Sequence, residues 1–220
     1  MNNIIKNNNK QQKFYIPFKS LKEVEFNFLF KLSLLSSFDG ENRTYNSIKF
    51  KSIKELGERV GVPQSTLKRY LNSLEKEGFI TKEKKEIIIN NNVKEMLKFI
   101  VLERETVNSL LKEDNEKLTK LYIIHKYYIG CFKGSHSKTK DSIVEEMGLS
   151  SKSKRELDNI TNLNKRLVEL GLISMEHYRN ENGNIQIKYT LGRTKEEEQK
   201  KEPIERESGV LPQIDNGFKF

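Results

Sequence analysis

Six polar residues between Gln64 and Asn72 share a segment whose apolar residues recur at helical spacing. In QSTLKRYLNSLEKEG, Leu67, Leu71 and Leu74 form one stripe. A helix that buries them leaves Gln64, Ser65, Thr66, Lys68, Arg69 and Asn72 facing outward. These residue types can read a nucleic-acid duplex. Arginine grips guanine through two parallel hydrogen bonds, glutamine and asparagine pair with adenine, and lysine and the hydroxyls suit phosphate. No carboxylate interrupts this face before Glu75. Exposed helix positions are polar in most proteins, so it is the particular set of side chains that carries the reading.

The surrounding sequence supplies elements to position that face. Ser52 and Glu55 have capping-box spacing, Ile53, Leu56 and Val60 follow at helical spacing, and Gly61 breaks the helix before Val62-Pro63. Gly78 stops the second helix. Phe79-Ile80 and Ile87-Ile88-Ile89 read as two strands around the charged turn KEKKE, and Ser47 to Phe50 as a short strand on the same sheet. Upstream, an aromatic-rich helix is expected from near Ser20, with Glu23 at capping-box spacing, through Phe26, Phe28, Leu29, Phe30, Leu32 and Leu35 towards Phe38. Two helices across a tight turn followed by a β-ribbon make a helix-turn-helix with a wing, whose second helix fits the major groove. In the ribbon, Lys82, Lys84 and Lys85 can reach phosphate or the minor groove.

The same grammar recurs towards the C-terminus. Leu118, Leu121, Tyr122, His125, Ile129 and Phe132 form the face of an opening helix, on which His125 reads as a core histidine and not a ligand. A helix over 139–147 turns Ile143, Val144 and Met147 inward. Ser153 and Glu156 repeat the capping-box spacing, and Leu157, Ile160, Leu163, Leu167 and Leu170 carry a longer helix to Gly171. Leu172 to Arg179 and Ile185 to Leu191 flank Asn182-Gly183, a strong hairpin signal. The outward residues here are Ser151, Lys152, Lys154, Arg155, Asn159, Asn162, Lys165 and Arg166, diluted by Glu156 and Asp158. Arg179, Asn182 and Lys188 occupy the ribbon.

Between the two copies, Val93, Met96, Leu97, Ile100, Val101, Val107, Leu110 and Leu111 recur at helical spacing and predict one long amphipathic helix. The expected fold is α+β, mostly helical, with two winged helix-turn-helix units joined by a helical connector. The layout is a flexible arm over 1–19, a first unit over 20–91, a connecting helix over 92–114, a second unit over 115–192, and a disordered charged tail over 193–220.

Forty Lys and Arg against 31 Asp and Glu give a net charge of +9, which makes phosphate a natural partner. Alanine and tryptophan are absent while Lys, Asn and Ile abound, so part of this basicity reflects an AT-rich coding bias. Cys131 is the single cysteine, which excludes an intramolecular disulfide and a cysteine-based zinc knuckle. GSHSKTK lacks the glycine spacing of a phosphate-cradling loop, and His125, His136 and His177 form neither H-E-x-x-H nor a His-x-His pair. No enzyme activity, cofactor or metal is therefore expected. The chain has no apolar run of membrane-spanning length and no apolar signal segment near its start, so a soluble, cytoplasmic protein without a membrane partner is expected.

LGERVGVPQSTLKRYLNSLEKEGFI resembles the DNA-binding core of bacterial winged-helix regulators, and MGLS followed by LVELGLI resembles a diverged second copy. The pairing resembles tandem winged-helix replication initiators of plasmids and phages over residues 20–191. The resemblance implies iteron-like repeats at an origin, with one unit reading DNA and the other reading DNA or mediating dimerisation. The expected function is sequence-specific binding of double-stranded DNA in plasmid or phage replication initiation or maintenance. Transcriptional regulation is the alternative, and a protein-interaction scaffold in DNA segregation is the alternative of another class. A homodimer, and a protein partner for the C-terminal tail, stay open.

Overall fold

The structure, a computed structural model, describes residues 11–15, 21–39, 44–90, 99–183 and 185–192. The first half contains β1 (Gln11–Tyr15), α1 (Glu23–Leu35), β2 (Ser37–Asp39), β3 (Thr44–Lys49), α2 (Ile53–Val60), α3 (Gln64–Lys76), β4 (Ile80–Glu83) and β5 (Glu86–Ile89). Strands β2, β3, β5 and β4 lie side by side in that order, each pair antiparallel. Helix α1 buries Phe26, Phe28, Leu29, Phe30, Leu32 and Leu34, which is the pattern of a helix surrounded by protein. It is shorter than the sequence suggests. Ser20 lies outside the described residues, Lys22 holds the N-cap without a side-chain bond, and Phe38 falls in β2. The Ser33 carbonyl at the helix end accepts from both the Ser36 hydroxyl, at 2.7 Å, and the Ser36 amide, at 3.3 Å.

Two expectations for the flanking segments are corrected. Next along the chain come β6 (Phe99–Glu103) and α4 (Arg104–Glu113). Strand β1 pairs antiparallel with β6, Gln11 opposite Glu103 and Tyr15 opposite Phe99. Part of the arm expected to be flexible over 1–19 is therefore strand, and within the connector expected as one helix over 92–114 the described residues are strand over 99–103 and helix over 104–113. The β-branched Ile100 and Val101 suit a strand once a partner backbone is present. That partner comes from a distant stretch of sequence, which local periodicity cannot report. Residues 92–98 and the tail over 193–220 lie outside the described residues.

The second half contains α5 (Glu116–Cys131), β7 (Ser135–His136), α6 (Lys140–Glu146), α7 (Lys154–Glu169), β8 (Ile173–Arg179) and β9 (Ile185–Leu191). Side chains of Asn115, Thr139 and Ser153 cap α5, α6 and α7 by accepting from Leu118, Ser142 and Glu156 amides. Its sheet order is β7-β9-β8. In both halves, the strand ahead of the helix pair lies beside the second strand of the hairpin: β3 on β5, and β7 on β9. The turn between the paired helices is residues 61–63 in the first half and 147–153 in the second, so the second helix pair is more widely separated along the chain.

The halves are packed together and not strung on a spacer. Buried residues of α1 and α5 belong to one apolar core that continues through Leu56 and Leu67 on one side and Ile143, Ile160 and Leu167 on the other. Lys120 of α5 is fully buried there and donates to the carbonyls of Leu21, at 2.8 Å, and Met147, at 3.0 Å. At the end of α4, Lys31 reaches Asp114 at 3.4 Å while Glu113 receives Arg166 of α7.

Candidate nucleic-acid interface

Local chemistry fixes the approach of α2 to α3. Ser52 Oγ accepts from the Glu55 amide at 3.2 Å, and the Glu55 carboxylate accepts from the Lys51 amide at 2.7 Å. Gly61, at φ 70°, ends α2 in the left-handed region. Gly57 has a different reason to be glycine. A Cβ there would lie 2.8 Å from the Val62 carbonyl oxygen and 3.6 Å from Leu67, so the turn can close on α2 only over a bare backbone. Sequence reading passed over Gly57, although a glycine inside a helix is itself the signal.

Helix α3 buries Leu67, Leu71 and Leu74 and exposes Gln64, Ser65, Lys68, Arg69 and Asn72, with Thr66 half-buried. The expected outward set thus occupies one continuous surface. Behind it, the Ser73 hydroxyl donates to the Glu25 carboxylate at 2.6 Å, and the Tyr70 ring lies 5.3 Å from Phe28. The Arg69 guanidinium lies 5.2 Å from the Tyr70 ring centroid, within cation–π range.

The ribbon lysines divide. Lys84 and Lys85 are exposed at the hairpin turn, and the Lys85 carbonyl accepts from the Phe50 amide at 3.1 Å. Lys82 instead turns back onto α3. Its ammonium lies 2.7 Å from Glu75 Oε2 and donates to Asn72 Oδ1 at 2.6 Å, while its amide donates to Glu75 Oε1 at 3.2 Å. The hydrogen bond from Lys82 holds the Glu75 carboxyl below its ordinary range. The exposed Lys49 and Lys51 share a cleft with Lys84 and Lys85 beside the start of α2, lysines that sequence reading missed, although Glu55, Glu83 and Glu86 line the cleft too. Only sheet pairing brings them there: Lys49 stands opposite Glu86.

On α7, Lys154, Arg155, Asn162, Lys165 and Arg166 are exposed and Asn159 is half-buried; in the preceding turn Lys152 is exposed and Ser151 half-buried. Lys154, Arg155, Asn159 and Asn162 border one cleft, but Lys117, Glu156 and Asp158 line it too, and Lys117 pairs with Glu156 at 3.2 Å. Ser151 donates to Glu145 at 2.8 Å. Arg166 is tied to two carboxylates: it forks onto Glu113 at 2.9 and 2.7 Å and reaches Glu169 at 2.9 Å. Arg179 and Asn182 are exposed on the hairpin, and the half-buried Lys188 stands opposite Glu176.

Two histidines sit inside the second half. The Lys138 amide donates to His136 Nδ1 at 3.2 Å, so His136 Nε2 carries the proton that bonds His125 Nδ1 at 2.9 Å. His125 Nε2 then donates to Asn164 Oδ1 at 2.8 Å, and the Asn164 amide donates to Tyr189 at 3.4 Å. Every member has a partner in one consistent direction, and burial pushes His125 down to about 3 and His136 to about 4. Both are neutral structural groups. Among the described residues, no cluster of His, Cys, Asp and Glu could hold a metal ion.

A family model described as winged helix-turn-helix DNA-binding matches residues 51–81, which span α2, the turn, α3 and the start of β4. A search of the curated proteins finds no match to the chain. No helix among the described residues is long and apolar enough to cross a membrane. Residues 51–81 are a winged helix-turn-helix DNA-binding domain.

Proposed function

We propose that the chain binds double-stranded DNA sequence-specifically through two winged units, and that it serves replication initiation or maintenance of a plasmid or phage by reading repeated sites. The observation that supports two units is the shared strand pairing: β3 on β5 and β7 on β9, each between an opening helix and a helix pair. In the first unit, Gln64, Ser65, Thr66, Lys68, Arg69 and Asn72 face the major groove, while Lys84 and Lys85, with Lys49 and Lys51, hold phosphate. In the second, Lys152, Lys154, Arg155, Asn159, Asn162 and Lys165 form the weaker, charge-diluted face. Arg166 holds α7 on α4. Because the halves share a core, their two faces keep one spacing, which suits a target of regularly spaced half-sites.

The test is capture of fragmented DNA from the source by the purified protein at low and moderate salt, followed by footprinting of the retained fragments. Repeats beside a replication gene support the initiator reading, and single sites in promoters support a transcriptional regulator. Uniform retention lost on adding salt would contradict sequence-specific binding.

A further inference from the structure

We propose that Lys82 sets the base preference of Asn72 and is not a phosphate contact. This rests on the reading that α3 lies in the major groove. Ser65, Lys68, Arg69 and Asn72 stand at helical intervals of three, four and seven, so Asn72 continues the exposed stripe. A free asparagine matches adenine because Oδ1 accepts from the N6 amino group while Nδ2 donates to N7. Here Oδ1 is taken. An ammonium can only donate, so the Asn72 atom 2.6 Å from it is the carbonyl oxygen, and Nδ2 points away as a donor. The remaining lone pair of Oδ1 lies beside a positive charge, which disfavours a second donor such as the adenine amino group.

Glu75 keeps the arrangement in place. One carboxylate oxygen holds the Lys82 ammonium at 2.7 Å and the other accepts from its backbone amide at 3.2 Å. The ammonium is thereby kept against α3, whereas Lys84 and Lys85 extend from the turn. The base edge under Asn72 therefore meets an amide donor backed by a cation. That combination favours the acceptor-only edge of guanine, N7 and O6, over the mixed edge of adenine.

The experiment is selection of bound duplexes from a randomised pool with the full chain, comparing the unmodified protein with Asn72→Ala, Lys82→Met and Glu75→Gln, each checked for folding by its thermal midpoint. Asn72→Ala should erase the preference at one base pair and so locate it. At that pair the unmodified protein should favour guanine, and Lys82→Met should shift the preference roughly tenfold towards adenine while leaving other positions unchanged. Glu75→Gln should shift it the same way to a smaller extent, which supplies a conservative second variant. If Lys82→Met weakens all sequences alike without changing any preference, Lys82 is a phosphate contact and the inference is overturned. If the unmodified protein selects no sequence, the major-groove reading fails first and the inference falls with it.

Discussion

The Lys120 ammonium donates to the backbone carbonyl of Leu21 at 2.8 Å and joins the two halves of the chain inside their common core. Burial lowers its pKa from 10.5 to about 8, with the Glu23 carboxylate pulling the other way. Between those values the unfolded chain keeps a proton that the native chain has lost. Stability should therefore rise with pH across this window, by about 1.4 kcal/mol per unit at most. The buried Tyr122, pushed up to about 12, opposes the rise above about pH 10, where unfolded tyrosine ionises first. Denaturant unfolding between about pH 7.5 and 9.5 checks this. Lys120→Met should flatten the slope.

The His125–His136 pair gives a dependence of the same sign on the acid side. Both folded pKa values are depressed, to about 3 and about 4, from 6.5. Their contribution is complete above pH 6.5 and is lost as pH falls towards the folded values, because only the unfolded chain takes up the protons. The expected loss is up to about 1.4 kcal/mol per pH unit for each histidine. His136→Gln should remove about half of that slope between about pH 6 and 5, measured by denaturant unfolding.

Gly57 and Gly61 should respond differently to alanine. A Cβ at Gly57 meets the Val62 carbonyl, so Gly57→Ala forces the turn apart, costing about 1–3 kcal/mol and displacing α3. Gly61 has open space around it and only a left-handed backbone to lose, so Gly61→Ala should cost about 1–2 kcal/mol. Thermal unfolding with DNA titration separates them: only Gly57→Ala should weaken binding by the protein that remains folded.

The contrast between these residues and the rest of the chain marks what sequence could convey. Helices α2, α3 and α7 and the β8–β9 hairpin were legible because their caps, stripes and turn glycines are local. The α3 face followed directly, since burying Leu67, Leu71 and Leu74 leaves Arg69 and its neighbours outside. Pairings between distant segments were not legible. Strand β6 reads as helix until β1 supplies its edge, and neither Lys82 on Asn72 nor Arg166 on Glu113 leaves a mark in spacing. Lys49 and Lys51 join the cleft of Lys84 and Lys85 only through the β3–β5 register.

Arg166 should behave as a structural residue. Its fork onto Glu113 holds that carboxyl below its ordinary range and joins α7 to α4. Arg166→Ala should lower the thermal midpoint modestly and leave the salt dependence of DNA binding unchanged. Lys165→Ala, one residue away but without this tie, should reduce the salt slope by about one unit if α7 lies on DNA.

The most direct measurement is a titration of a selected duplex and a scrambled duplex with the unmodified protein, Arg69→Ala and Lys84→Ala, each at two salt concentrations. Arg69→Ala should lose about 1–3 kcal/mol on the selected duplex and little on the scrambled one. Lys84→Ala should weaken both alike and lower the salt slope by about one unit. Equal losses on both duplexes for Arg69→Ala would contradict the account, because α3 would then be binding charge and not reading sequence.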